Sequence, residues 1–230
     1  MDNYINNFLF TYFPYIALTI FGFGFITRLV MMNKSVQAES SQFIADKKVK
    51  LGSNLFHVGI IFVFFGHLTL FIPESIYHLV MTTETKRVIA LSMGSVFGLM
   101  AVAGMSILVI RRFSSPRIRY NSRFQDYFIL LLLLIEAIIG LTAAAKTAVE
   151  PIGMYAALSE WSQAIVTFQP NAGLILANHP LQYKLHIVLG FFIFMIFPYT
   201  KLMHLLVFPY VYFFRSGYQL VRSSSSSRNR

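Results

Sequence analysis

Long runs of apolar residues, separated by short polar connections, dominate the chain. A helix needs roughly 20 consecutive apolar residues to cross a bilayer. Five runs meet this length and predict an all-α integral membrane bundle of five transmembrane helices. Their approximate bounds are residues 8–32, 53–80, 88–111, 124–146 and 181–211. The second and fifth runs exceed the minimum, so we expect these helices to tilt or to emerge from the bilayer.

The longest connection, residues 147–180, has a periodic pattern of its own. Met154, Leu158, Trp161 and Ile165 recur at helical spacing, which predicts a short helix lying on the outer membrane face. The serine-rich segment 223–230 is predicted to be disordered. Residues 1–222 are therefore expected to form a single membrane domain.

The composition supports a membrane protein. Of the 230 residues, 56% are hydrophobic and 12% are charged, whereas soluble domains have about 25% charged residues. The chain has no cysteine, which excludes disulfides, cysteine-held iron–sulfur clusters and covalently attached c-type haem. Any redox cofactor must therefore have nitrogen or oxygen ligands, or be a diffusible quinone.

The positive charges lie in the connections between the apolar runs. The net charge is +10, and lysine and arginine concentrate after the first run, after the third run and in the C-terminal tail. This distribution is the positive-inside pattern, and it argues against a nucleic-acid partner. We expect the N-terminus outside, the C-terminus in the cytoplasm, and a location in the inner (cytoplasmic) membrane. Since no signal-peptide pattern precedes the first run, we expect that run to be retained.

Four histidines lie inside two apolar runs: His57 and His67 in the second, His186 and His204 in the fifth. Ionisable residues within a bilayer are costly and are functional candidates by default. Two helices that each bring two histidines can hold two haem irons, with one imidazole from each helix on each iron. An interhelical hydrogen bond explains any one of them equally well, but the set of four favours haem.

Depth in the membrane pairs these histidines. The second run begins inside and the fifth begins outside, so His57 pairs with His204 on the inner side and His67 with His186 on the outer side. On straight helices the two intervals are about 15 Å and about 27 Å. Tilt or a kink at Pro198 would have to absorb the difference.

Glycines and further ionisable residues lie near these positions. Gly59, Gly66 and Gly190 would let a flat macrocycle approach the helices. His78 and His179 fall at or beyond the outer ends of the runs, so we expect them to be solvated and assign them no ligand role.

Two carboxylates lie in the fourth run. Asp126 is near its inner end and is expected to be solvated or paired with an arginine. Glu136 is deeper and is expected to be protonated or hydrogen-bonded. A role in a proton path is left open for Glu136.

The chain resembles the gamma subunit family of respiratory nitrate reductases, dihaem b cytochromes that anchor the complex in the membrane. The similarity covers most of the chain in the family's order. It is carried by Ser53–Gly59, Gly66–His67, Arg111–Arg119, Trp161–Phe168, Leu185–Phe191 and Phe197–His204. The resemblance implies five transmembrane helices and two b-type haems. It assigns His67 and His186 to the outer haem iron, and His57 and His204 to the inner one.

The resemblance also implies a reaction. The chain would oxidise quinol near the outer haem and pass electrons inward to an iron–sulfur beta subunit. A molybdenum-containing alpha subunit would then reduce nitrate in the cytoplasm. Lys86 matches the family's lysine beside the outer haem, where a cation can stabilise a quinone oxygen, and Gly66 leaves space beside His67. The plain alternative for Lys86 is a lysine that snorkels to the interface.

Other function classes remain open. The chain could be the dihaem anchor of another quinone-linked oxidoreductase, such as a fumarate reductase or a hydrogenase, although the Ser-Asn-Leu-Phe-His context argues against this. It could also be a haem-free membrane anchor or a transporter. Transporters more often show inverted repeats and broken spans, and neither is evident in the sequence.

Overall fold

The computed structural model describes residues 2–31 and 47–205, which fold into helices joined by short turns. Five helical segments are long and apolar enough to cross a membrane, and no strand occurs in these two ranges. The prediction of an all-α bundle of five transmembrane helices is therefore confirmed. The α-helices are α1 (Asp2–Asn7), α2 (Phe13–Met31), α3 (Lys47–Leu68), α4 (Glu74–Tyr77), α5 (Thr83–Ser114), α6 (Pro116–Asn121), α7 (Phe124–Val149), α8 (Ile152–Val166) and α9 (Leu181–Ile196).

The first span is built from α1, a π-helical turn over Phe8–Tyr12 and α2. The second span ends earlier than the sequence predicted. After α3 a 3-10 turn runs over Thr69–Phe71, and Pro73 precedes the separate helix α4. Because proline lacks an amide hydrogen and clashes with the preceding turn, the prediction of one helix up to residue 80 is wrong.

In the fifth span the α-helix ends earlier than predicted. Helix α9 stops at Ile196, and the chain continues as 3-10 turns over Phe197–Tyr199 and Lys201–Leu205. Pro198 breaks the helix between the two histidines of this segment. A straight-helix separation therefore does not apply to His186 and His204. Residues 206–211 and the tail 223–230, with its predicted disorder, lie outside the described residues.

Glycines bring α3 and α5 into backbone contact. A β-carbon on Gly59 would lie 2.6 Å from the amide nitrogen of Ala101, and one on Gly104 would lie 2.6 Å from the carbonyl oxygen of Gly52. Neither position has room for a side chain, so the close approach of the two helices requires glycine. The expectation that Gly59 makes space for a macrocycle is wrong, because α5 fills that space.

The other spans complete an open bundle. Helix α5 also packs against α7, α7 against α9, and α9 against α2. Among the described spans, α3 packs closely only against α5. A groove therefore separates α3 from α9, and we call it the α3–α9 groove.

Helix α8 closes one end of the bundle, as expected for a short helix within the connection 147–180. One side of α8 packs into the protein. The indole of Trp161 donates a hydrogen bond of 2.8 Å to the carbonyl oxygen of Phe10. The hydroxyl of Ser162 donates a hydrogen bond of 2.8 Å to the carbonyl oxygen of Leu70. The buried cluster beneath it consists of Phe10, Trp161, Ala164, Ile165, Ala172 and Leu176. We call this end, where α3 stops, the His67 end, and the opposite one the His57 end.

Candidate functional site

The structure brings His67 and His186 together across the α3–α9 groove. Their Nε2 atoms lie 3.5 Å apart, and their ring centroids are 5.7 Å apart. The Nδ1 of His67 lies 2.8 Å from the carbonyl oxygen of Val63, one turn earlier on α3. The Nδ1 of His186 lies 2.9 Å from Oε1 of Glu136 on α7, although its N–H is not aligned for a regular hydrogen bond.

His57 and His204 form the second pair, with ring centroids 6.2 Å apart. The Nδ1 of His57 lies 2.7 Å from the carbonyl oxygen of Ser53. The Nδ1 of His204 lies 2.5 Å from the carbonyl oxygen of Lys201. A ring that donates its Nδ1 hydrogen to a carbonyl keeps its lone pair on Nε2, which is the usual arrangement of a metal-binding histidine.

The donor atoms of the His67–His186 pair are spaced as a haem iron would need. A bond between a metal and an imidazole nitrogen is about 2 Å long, so a metal between two imidazoles separates their nitrogens by about 4 Å. The Nε2 separation of 3.5 Å between His67 and His186 is close to this value. No group of three or more His, Cys, Asp or Glu side chains suited to a metal occurs within residues 2–31 and 47–205. A pair of imidazoles would be sufficient for a haem iron, since the porphyrin would supply the other donors.

Two glycines shape the surroundings of His186. A β-carbon on Gly140 would lie 2.8 Å from Cε1 of His186, and one on Gly190 would lie 3.2 Å from Oε1 of Glu136. Gly190 therefore makes room for a carboxylate, not for the macrocycle that the sequence suggested. Gly140 was missed by the sequence analysis. The available signal was its position one turn after Glu136, which places both residues on one face of α7.

Gly66 has open space beside it, since a β-carbon there would meet no atom within 4 Å. This position directly precedes His67. The space that the sequence predicted at Gly66 is therefore present, in contrast to Gly59.

An ionic cluster around a buried carboxylate lies at the His57 end. The Asp126 side chain is 5% exposed, and its carboxylate lies 2.9 Å from Nζ of Lys201 and 3.4 Å from a guanidinium nitrogen of Arg112. The expected pairing of Asp126 with an arginine is confirmed. Lys201 was not predicted. It lies in the same 3-10 turn as His204, so Asp126 ties the His204 segment to α7.

Lys86 is buried at the His67 end. Its Nζ lies 3.9 Å from the ring centroid of Tyr77 and 3.5 Å from the hydroxyl of Ser159 on α8. The plain alternative of a snorkelling lysine is therefore wrong, because the ammonium group is held beneath α4 and α8. Since Ser162 of α8 also bonds to Leu70, α8 connects the Lys86 region to the turn that follows His67.

The two remaining histidines differ from each other. His78 is exposed, as expected. His179 is only 6% exposed, so the expectation that it is solvated is wrong. Its Nε2 lies 3.1 Å from the carbonyl oxygen of Met154, and burial lowers the pKa of this imidazole below its ordinary value. Nearby on α8, burial and the neighbouring Tyr77 raise the pKa of Tyr155 to about 12.

The fold and the site define a multi-pass membrane protein in which two imidazoles of α3 are each paired with an imidazole from α9 or from the 3-10 turn that follows it. The nitrate reductase gamma subunit family model matches residues 6–224. The chain is 35% identical to the respiratory nitrate reductase 2 gamma chain of Escherichia coli over 97% of its own length and 99% of that protein. It is 36% identical to the nitrate reductase gamma chain of Bacillus subtilis, over 88% and 92% of the two lengths.

The chain therefore belongs to the nitrate reductase gamma subunit family. As a member of this family with five apolar spans, it is a multi-pass inner-membrane protein and a membrane subunit of a nitrate reductase.

Proposed function

We propose that this chain is the dihaem, quinol-oxidising subunit of a respiratory nitrate reductase. His67 and His186 hold one b-type haem, and His57 and His204 hold the other. The observation that carries the proposal is the shared arrangement of the four imidazoles. Each Nδ1 contacts a carbonyl or carboxylate oxygen, and each imidazole of α3 faces a partner: His186 of α9 for His67, and His204 of the later 3-10 turn for His57.

The bound haem irons would supply one-electron redox chemistry, and the chain fixes where they sit. The distribution of lysine and arginine puts the His67 end outside, with the N-terminus, and the His57 end and the C-terminus at the cytoplasm. Electrons then travel from the outer pair of histidines to the inner pair. Because the chain has no cysteine, the next carriers belong to partners: an iron–sulfur beta subunit and a molybdenum-containing alpha subunit.

Lys86 and Gly66 form the quinol site in this proposal. The ammonium group of Lys86 is held in place by the face of Tyr77 and the hydroxyl of Ser159. It donates a hydrogen bond to a quinol oxygen and stabilises the negative charge that develops as the hydroxyl loses its proton. Gly66 keeps the side of α3 beside His67 open to a flat ring.

Single histidine variants test the two haem sites. We expect His67→Ala or His186→Ala to remove the outer haem and quinol oxidation, and His57→Ala or His204→Ala to remove the inner haem. Haem content and reduced-minus-oxidised spectra of the purified complex give the readout. His78→Gln is the matched control and keeps both haems, because His78 lies outside the pairs.

A complex without any b-type haem signal would contradict the proposal and favour a haem-free anchor or a transporter. A dihaem chain that copurifies with no molybdenum partner would point instead to another quinone-linked oxidoreductase. Lys86→Ala tests the quinol site separately. We expect it to raise the KM for quinol while both haems stay bound, and unchanged quinol kinetics would remove Lys86 from the site.

A further inference from the structure

A chain of hydrogen bonds links a buried phenol to the surface at the His67 end. The hydroxyl of Tyr77 lies 3.1 Å from Oγ1 of Thr83, and Nε2 of His78 lies 2.9 Å from the same oxygen. Nε2 of His78 also lies 3.3 Å from Oε1 of Glu74. Tyr77 is 7% exposed, whereas the side chains of His78 and Glu74 are 43% and 62% exposed. The chain therefore runs from the interior to the surface.

The inner end of this chain meets the Lys86 region. The Lys86 ammonium lies over the ring of Tyr77. Tyr155 on α8 is close enough to Tyr77 for the two phenols to influence each other, and its buried hydroxyl has no hydrogen-bond partner among the described residues. A buried hydroxyl without a partner calls for a bound water or ligand. Polar groups thus gather at the point where the proposed function places the quinol.

The outer end of the chain meets an open recess of about 560 Å³. The titratable groups that contact His78 or line the recess with it are Glu74 and Tyr77 on α4 and Glu84 on α5. Water in this recess can reach the His78 ring. The recess is lined by His78, Met81, Thr82, Thr83, Glu84 and Ile152.

We propose that Tyr77, Thr83 and His78 form the route by which protons leave the quinol site for the outer aqueous side. This proposal rests on the proposed function, which supplies the quinol and its oxidant. Oxidation of one quinol to quinone releases two electrons, which reduce the haem irons, and two protons. Each proton takes this route in turn.

Along the route, each hydroxyl group accepts one proton as it gives up another, so no hydroxyl is lost. The Tyr77 oxygen accepts a quinol proton as Tyr77 gives its own proton to Thr83. Thr83 passes its hydroxyl proton to Nε2 of His78, and His78 releases a proton to water. The carboxylate of Glu74 contacts the same Nε2, so it stabilises the imidazolium that forms. Once Nε2 of His78 has lost this proton to solvent, the imidazole is neutral again and can accept the second proton.

The same hydrogen bonds could simply hold the turn between α4 and α5, so the test must separate the two roles. Thr83 offers a matched pair of substitutions: Thr83→Val keeps the shape and removes the hydroxyl, whereas Thr83→Ser keeps the hydroxyl. The start of α5 is capped by the neighbouring Thr82, whose Oγ1 accepts a hydrogen bond from the amide of Thr85. Substitution of Thr83 therefore leaves the helix cap intact.

The experiment measures the rate of haem reduction by quinol in the purified holo-complex. We expect Thr83→Val and His78→Gln to slow it by about 100-fold, the lower end of the contribution of a positioned proton-transfer group. Thr83→Ser should retain most of the rate, and free imidazole should restore part of it in His78→Ala. Glu84 lies in the same recess but outside the hydrogen-bonded chain, so Glu84→Gln should reduce the haems at the wild-type rate. Reduction of the haems by dithionite, which needs no proton route, should be normal throughout.

Two results would overturn the route. One is a wild-type rate in both Thr83→Val and His78→Gln with both haems bound. The other is equal loss in Thr83→Ser and Thr83→Val, which would assign Thr83 a structural role. His78 is exposed, so its variants keep the test valid if Thr83→Val does not fold. A wild-type complex that binds both haems but takes no electrons from quinol would contradict the proposed function itself, and is distinguishable from these two results.

Discussion

Glu136 and His186 contact each other between α7 and α9, with Oε1 of the carboxylate 2.9 Å from Nδ1 of the imidazole. The second carboxylate oxygen of Glu136 is buried and has no hydrogen-bond partner in the part of the chain that the structure describes. A carboxylate in this position orients a metal-binding imidazole and increases its basicity. Glu136 is therefore coupled to the proposed ligand of the outer haem.

Replacing this carboxylate tests the coupling. A more basic imidazole stabilises the oxidised iron that it would bind, so we expect Glu136→Gln to raise the midpoint potential of the outer haem. A redox titration followed by absorbance would measure the shift, and the inner haem should keep its potential. Glu160→Gln, at an exposed position on α8, is the matched control. Equal potentials in Glu136→Gln and wild type would remove Glu136 from the outer site.

Gly140 is expected to be intolerant of a side chain because of its contact with His186. A β-carbon at this position would lie 2.8 Å from Cε1 of the imidazole, so the ring must move. We expect Gly140→Ala to shift the spectrum of the outer haem or to lower its occupancy, with the inner haem retained. Gly94→Ala is the control, since a β-carbon there meets no atom within 4 Å. Identical haem content and spectra in the two variants would contradict this prediction.

Asp126 is expected to hold the His204 segment in place. Asp126→Asn removes the buried carboxylate charge that compensates the partly exposed Lys201 and Arg112. We expect lower occupancy of the inner haem, with the outer haem retained, and a lower unfolding temperature. Haem quantification and thermal unfolding would measure both effects. Lys201→Arg keeps the positive charge and should preserve the inner haem; selective loss of the outer haem in Asp126→Asn would refute the assignment.

His179 should make the protein sensitive to mild acid. Burial lowers the pKa of the folded imidazole below its ordinary value of 6.5, so the unfolded state binds a proton before the folded state does. Stability is then complete above pH 6.5 and decreases as the pH falls toward the folded pKa. We expect His179→Gln to reduce this loss, because its amide can still donate to the carbonyl oxygen of Met154 and does not titrate.

Unfolding temperatures of wild type and His179→Gln between pH 8 and pH 5 would measure this effect. The difference between the two proteins at pH 8 gives the baseline, since the imidazole is neutral in both states there. A difference that stays constant down to pH 5 would show that His179 does not contribute to acid sensitivity.

The sequence by itself determined the class of the protein and the number of its spans, though not where the second and fifth helices end. Apolar runs of this length have no stable alternative to membrane helices, because every backbone polar group must be satisfied inside the bilayer. Depth arithmetic also paired His67 with His186 and His57 with His204, since the number of spans fixes which helix ends share a side. These inferences need only chain length, hydropathy and direction.

Only the tertiary structure decided which groups surround those histidines. The contact of Glu136 with His186, the space provided by Gly140, the link from Asp126 to Lys201 and the burial of Lys86 and His179 all join residues from different segments. Gly59 and Gly66 look equivalent in the sequence, yet one is filled by α5 and the other is open. Helical periodicity gives the face on which a residue lies, but what that face meets depends on how the helices pack against one another.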